Sequence, residues 1–339
     1  MFEALTGNSY FYYSADMEYL FAALDILIGL NKNQRINEIY GENMKKEVPE
    51  KYPLLFEVFH AFSKDKQFGI IEPIIDFDLS KFSLDNYCEE LLQMDRVTFL
   101  TYYTEALRED IEKALISEEE LLKFYHKYPK ISVNFLGLQM LFKSPERYIK
   151  AFFEFAKSLK NDAAERLFKK HEKDINKEMK RLKKNLETIE PLAQSEKIMG
   201  KTFYNRGPYE KFIFMPCEFG TMRACRLFGK NQFLFYDFLR EEPYDSEKVL
   251  VEQLKVISDS TRLNILKLLK TNKHLCGAEI ATQMSLAPST VSHHMDQLKN
   301  FGLVHEEPVK SAKYYSLNEP NIKNCLKTLE KVLLTEEKK

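Results

Sequence analysis

Leu286-Ala287-Pro288-Ser289-Thr290-Val291-Ser292-His293-His294-Met295, running on through Asp296-Gln297-Leu298-Lys299-Asn300-Phe301-Gly302, is the stretch that decides how this 339-residue chain is read. Pro288 suits the first turn of a helix, where its missing N–H costs nothing, and Gly302 marks where that helix has ended. At the helical period Val291, Met295 and Leu298 fall on one stripe that must be buried. Ser289, His293, Asp296 and Gln297 then face the opposite way, flanked by Thr290 and Ser292, while His294 sits beside the stripe. Short hydroxyls and an imidazole facing outward suit a helix lying in a DNA major groove against base edges and phosphates. A face built for docking another protein would be apolar instead. Ala287, at the cap position, supplies no capping oxygen, so the first amides stay available for a DNA phosphate.

Working outward, Ser246-Glu247-Lys248 opens a helix with Val249, Leu250, Leu254 and Ile257 on one face. Asp259-Ser260-Thr261 caps a second helix through Leu263, Ile265, Leu266 and Leu269, and a shorter third holds Ile280, Ala281 and Met284. Beyond the fourth helix, Leu303-Val304-His305 and Lys313-Tyr314-Tyr315-Ser316-Leu317 predict a β-hairpin. This order is that of a winged helix-turn-helix. Lys310 and Lys313 at the wing tip read as contacts to backbone phosphate or as a solvated turn. Arg262 reads as a phosphate contact or a structural ion pair. In the last helix Ile322, Cys325, Leu326, Leu329, Val332 and Leu333 form a stripe too apolar for water, which packs on a second copy or on the rest of the chain.

Residues 259–266, 286–295 and 298–304, three ordered motifs, resemble the ArsR/SmtB family of dimeric repressors. The resemblance implies a homodimer reading an inverted-repeat operator in double-stranded DNA, with His293 and His294 helping to grip it. Many members bind metal through a cysteine pair in the third helix. Here the matching run is Leu275-Cys276-Gly277-Ala278, so Ala278 replaces the second thiol; with only His274 beside it, no metal or other cofactor is expected.

The first 245 residues are built differently. Of 44 Phe and Tyr, 41 precede residue 247. Residues 1–200 predict a helical domain, with starts at Ser117-Glu118-Glu119-Glu120 and Ser144-Pro145. Residues 201–245 predict a strand-rich segment that closes this domain and ends in the linker 241–245. Phe212-Ile213-Phe214-Met215 and Phe233-Leu234-Phe235-Tyr236 read as strands of a small antiparallel sheet, and Gly229-Lys230 as a two-residue type II′ turn. The fold class is therefore mainly α with some β (α+β): a large helical N-terminal domain with a small sheet, then the winged helix at 246–339.

The aromatics make either a large core or a cavity for a small-molecule effector, and the domain could also enlarge a dimer interface. No phosphate-cradling Gly-rich loop, His-Glu-x-x-His pair or Gly-x-Ser-x-Gly elbow speaks for an enzyme. Isolated acids on helices read as surface residues, and the basic run at 166–184 as a solvated helix face or a phosphate-touching arm. The contrasting function is an enzyme or small-molecule binder that uses the winged helix only to dimerise.

The apolar run 20–30 is broken by Asp25 and is too short to span a membrane, no export signal opens the chain, and five scattered cysteines read as thiols. A cytoplasmic protein is expected. The net charge of −1 hides a division: residues 247–339 hold 14 Lys and Arg against 11 acids, and the remainder 36 against 40. A modestly positive reader is joined to a slightly acidic domain.

Overall fold

Short polar side chains that fold back onto free amides set most helix starts in the N-terminal region. Asn33, Ser83, Asp95, Ser117, Asn134 and Asn161 each accept a backbone N–H at the head of the helix that follows. The computed structural model describes residues 1–29, 33–41, 44–64, 66–199, 208–220, 224–239, 246–309 and 312–334. The expected linker at 241–245 lies outside them. Most of the described chain is helical, and it groups into two units, Met1–Pro191 with Pro208–Leu239, and Leu192–Gly207 with Arg240–Lys339.

The first unit carries α1 (Ala15–Ile28), α2 (Gln34–Tyr40), α3 (Met44–Lys51), α4 (Pro53–His60), α5 (Leu84–Gln93) and α6 (Arg96–Thr104). It continues with α7 (Arg108–Ala114), α8 (Glu118–Lys127), α9 (Phe135–Lys143), α10 (Pro145–Ser158) and α11 (Asp162–Asn185). Ser117 caps α8 as its spacing predicts, accepting the Glu120 N–H at 3.2 Å. Ser144 stands at the cap of α10 with Pro145 behind it, yet its hydroxyl makes no cap bond. The aromatic excess is spent on core: Phe59, Phe62, Tyr87, Tyr103, Tyr148 and Phe152 are fully buried. Their polar tips are satisfied inside, Tyr103 and Tyr148 sharing a 2.9 Å hydroxyl contact and Tyr87 donating to the Ile70 carbonyl at 3.0 Å.

Against these helices lies a five-stranded sheet in the order β1-β2-β3-β5-β4, with β1 (Phe2–Ala4), β2 (Ser9–Tyr12), β3 (Phe212–Cys217), β4 (Ala224–Phe228) and β5 (Gln232–Asp237). The small sheet expected at 201–245 is present, but it is mixed rather than antiparallel. β2 pairs parallel with β3, and β3 with β5; only the β1/β2 and β4/β5 pairs are antiparallel. A parallel pair needs a long crossover, and here the helices between Tyr12 and Phe212 provide it. The hairpin between β4 and β5 also differs from expectation, because Phe228 pairs with Gln232 and leaves three residues in the turn. Gly229 does not take the positive φ that a type II′ turn requires. β5 separates Cys217 on β3 from Cys225 on β4.

A buried acid on α1 contradicts the surface reading of helical carboxylates, and it meets a second buried acid in the bend after β3. Glu18, on α1, is 1% exposed, and both its oxygens accept the Glu218 N–H at 2.9 Å, one of them also the Phe219 N–H at 2.9 Å. Glu218 is fully buried, with its Oε2 2.7 Å from His171 Nδ1 on α11. Arg35 bridges the Glu218 carbonyl and the Asp237 carboxylate. Burial and the Glu218 charge push the Glu18 carboxyl up to about 8, against the pull of its two N–H donors. The basic helix α11 turns a buried stripe of Ala164, Phe168, Ile175 and Leu182 inward and keeps its lysines exposed, as a solvated face does.

The second unit holds α12 (Pro191–Met199) from Leu192 on, then α13 (Ser246–Ile257), α14 (Ser260–Asn272), α15 (Gly277–Met284) and α16 (Pro288–Asn300). β6 (Leu275–Cys276), β7 (Val304–Val309) and β8 (Ala312–Leu317) form a sheet in the order β6-β8-β7, and α17 (Glu319–Leu334) follows. The hairpin of β7 and β8 falls where the sequence places it; β6, pairing Leu275 with Tyr315, adds a third strand. Its core gathers Ile265, Leu269, Ile280, Val291, Met295, Leu298 and Leu303.

Candidate nucleic-acid interface

The exposed face of α16 is built from the inside out. Val291, Met295 and Leu298 are buried among α14, α15 and the sheet, which fixes the rotation of α16 about its axis. That rotation leaves Ser289, Thr290, Ser292 and His293 exposed, with His294 and Gln297 half-buried at the edge. Ala287 is the N-cap and makes no side-chain bond, and Pro288 occupies the first turn. The N–H groups of Ser289 and Thr290 find no acceptor among the described residues, so two donors stand open at the positive end of the helix dipole. His294 is tucked against the body of the domain, and its Nδ1 is buried without a hydrogen-bond partner. The two imidazole rings lie 6.0 Å apart, centroid to centroid.

Arg262 forms no ion pair among the described residues; its guanidinium bonds backbone carbonyls instead. Its Nε donates to the Val256 carbonyl at 2.7 Å, and its guanidinium thereby closes the C-terminus of α13 onto α14. Asp259 caps α14 through the Arg262 N–H at 2.8 Å, and that bond draws its carboxyl below the usual range.

On the wing, Lys310 lies outside the described residues, while Lys313 is exposed on β8. Lys313 is not a bare charge, because Glu306 on β7 pairs with it. Lys299, near the C-terminus of α16, joins the same carboxylate. Its place one helical turn from Asp296 and two from Ser292 is the sequence signal that marks Lys299 as part of the α16 face.

Cys276 is half-exposed at the start of α15, its N–H bonded to Glu279 at 2.7 Å, and Gly277 and Ala278 follow it. Among the described residues no three His, Cys, Asp or Glu side chains converge to hold a metal ion, and no helix is long and apolar enough to cross a membrane.

A three-stranded wing packed beside a helix that exposes hydroxyls, imidazole and open amides defines a winged helix-turn-helix DNA-binding domain. Comparison with known proteins agrees: residues 259–306 match the family described as bacterial regulatory protein, arsR family. A cadmium resistance transcriptional regulatory protein CadC homolog of Staphylococcus aureus is 31% identical over 90 residues, covering 26% of this chain and 71% of that protein. An uncharacterized HTH-type transcriptional regulator of Methanocaldococcus jannaschii is 31% identical over 81 residues, 24% of this chain and 91% of its own. The arsenical resistance operon repressor of Staphylococcus aureus is 33% identical over 84 residues, 25% of this chain and 80% of its own. Through its C-terminal domain the chain belongs to the arsR family of transcriptional regulators.

Proposed function

We propose that the protein acts as a cytoplasmic homodimer that binds an inverted-repeat operator and represses the genes beside it. Ser289, Thr290, Ser292, His293 and Gln297 read the major groove, His294 braces the helix, and Lys310 and Lys313 hold backbone phosphate. The observation that carries this reading is the polar face of α16, exposed over the buried Val291, Met295 and Leu298, with two amide donors open at its head.

The homodimer is supported by an apolar surface on two helices that pack on each other. Val251 on α13 and Leu326, Val332, Leu333 and Leu334 on α17 are exposed, a pattern that water disfavours and a two-fold partner would cover. Regulation is proposed to be independent of metal, because Ala278 stands where a second thiol would be needed. Residues 1–200 and the strands at 201–245 are proposed to form a body that modulates the domain at 246–339, which has its own core.

Footprinting on the DNA upstream of the gene tests this directly. Two protected half-sites with centres about 10 bp apart, or a multiple of that, are expected of a two-fold reader. Added Cd²⁺ or Zn²⁺ should leave the protection unchanged.

A further inference from the structure

The first unit contains an open cleft of about 590 Å³ between the 3-10 turn Glu72–Asp76, α6 and β4. A cleft of this size suits a small molecule. Its lining divides by chemistry. Glu72 and Glu105 supply carboxyls, Arg108 and Arg226 guanidiniums, and Ile75 and Leu227 an apolar patch.

The charged groups are held rather than loose. Arg108 is braced by Glu112 at 3.1 Å, by the Thr98 hydroxyl at 3.1 Å and by Asp95 at 3.7 Å. Arg226 is buried and donates to Gln232 Oε1 at 3.1 Å. Glu105 ends α6 with φ 53°, a left-handed backbone that costs a residue with a Cβ and that tends to persist where function needs it. Lys66 steadies its carboxylate at 2.5 Å. The Glu72 carboxyl alone has no hydrogen bond or ion pair among the described residues. Burial and the neighbouring Glu105 charge, opposed by Lys66, push its carboxyl up to about 7.

A purely anionic ligand would face two carboxyls in this cleft, and a purely cationic one two guanidiniums. We propose that the cleft binds a small zwitterion of the amino-acid class, with its ammonium on Glu72 and Glu105, its carboxylate on Arg108 and Arg226, and its side chain against Ile75 and Leu227. An ammonium supplies the partner Glu72 lacks. Binding is a property of the first unit alone; only the role of the ligand as effector rests on the DNA-binding reading above.

Calorimetric titration of the full-length protein with each proteinogenic L-amino acid, in two pH 7 buffers of different ionisation enthalpy, tests the assignment. At least one is expected to bind once per chain, and its N-acetyl and carboxamide derivatives to lose roughly tenfold or more in affinity. Ionisation of Glu72 on binding should release about half a proton per ligand. Glu72→Gln should abolish that release and weaken binding, and Arg108→Gln should weaken binding without removing the release. Failure of every amino acid to bind at millimolar concentration overturns the proposal, as does binding that the N-acetyl derivative matches or that Glu72→Gln leaves untouched. Operator binding, measured in parallel, separates the two claims. An intact operator complex with no amino-acid binding removes only the cleft, whereas a bound amino acid without an operator complex removes only the regulatory reading.

Discussion

Lys313 Nζ on the wing lies 3.2 Å from Glu306 Oε2, the same oxygen that Lys299 Nζ approaches at 3.2 Å from the end of α16. One carboxylate therefore ties the reading helix to the wing and offsets two cations beside the proposed DNA surface. Burial alone would raise the Glu306 carboxyl; the bonds from Lys313 and Lys299 outweigh it and hold the group below its usual range. Glu306→Gln should therefore strengthen DNA binding at low salt. The slope of log K against log salt should steepen by about one, the amount one additional phosphate contact contributes. Fluorescence anisotropy across a salt series reads both quantities, and an unchanged slope would place Lys313 away from phosphate.

The dimer prediction turns on neighbours with opposite exposure. Cys325 on α17 is buried, while Leu326 is 59% and Leu333 69% exposed. Leu326→Glu with Leu333→Glu should spare the fold, since neither side chain fills the core, and should convert a dimer to a monomer in sedimentation velocity. Operator affinity should fall at least about tenfold as the second half-site becomes a separate binding event. Dimers that survive the double substitution would move the two-fold interface elsewhere.

Glu18 predicts a pH dependence with a definite sign. An acid held at about 8 in the fold and near 4.5 in the unfolded chain binds its proton more tightly when folded. Stability from this group is fully present below about pH 4.5, falls as pH rises, and levels off above about 8, with a slope of at most about 1.4 kcal/mol per pH unit. Glu18→Gln keeps an oxygen for the Glu218 and Phe219 N–H groups and removes the titration. Urea unfolding of the variant should be flatter from pH 5 to 8, and the variant the more stable protein at the alkaline end. Parallel pH curves for the two proteins would mean that Glu18 does not titrate in this window.

The winged helix was legible because each of its signals is local. A cap at Asp259, a proline at 288, a glycine at 302 and a stripe at Val291, Met295 and Leu298 suffice to place four helices and a hairpin. The sheet of the first unit depends instead on partners about 200 residues apart. Phe2–Ala4 and Ser9–Tyr12 are too short to announce themselves as strands, and only the pairing of Ser9–Phe11 with Phe212–Phe214, and of Phe2–Ala4 with Tyr10–Tyr12 in turn, gives them meaning. The buried carboxylates were illegible for the same reason: Glu18 looks like any acid in a first turn until Glu218 and Phe219 bring their amides to it. Within the reading face, sequence placed Ser289, Ser292 and His293 outward, but not the bond that ties Lys313 to Glu306, since cross-strand charge pairs depend on register.

The central claim, that α16 reads DNA, is tested most directly by the affinity of the full-length protein for DNA upstream of its own gene. The comparison is with the Ser292→Ala, His293→Ala double variant and with unrelated DNA of the same length, over a salt series. Specific binding about a thousandfold or more above unrelated DNA is expected of the parent, the lower end of the usual specificity ratios for such readers. The double variant should lose roughly 1–3 kcal/mol for each base contact removed, with its salt slope unchanged because phosphate contacts remain. Equal affinity for both DNAs, or a double variant indistinguishable from the parent, would contradict the account and leave the winged helix as a dimerisation scaffold.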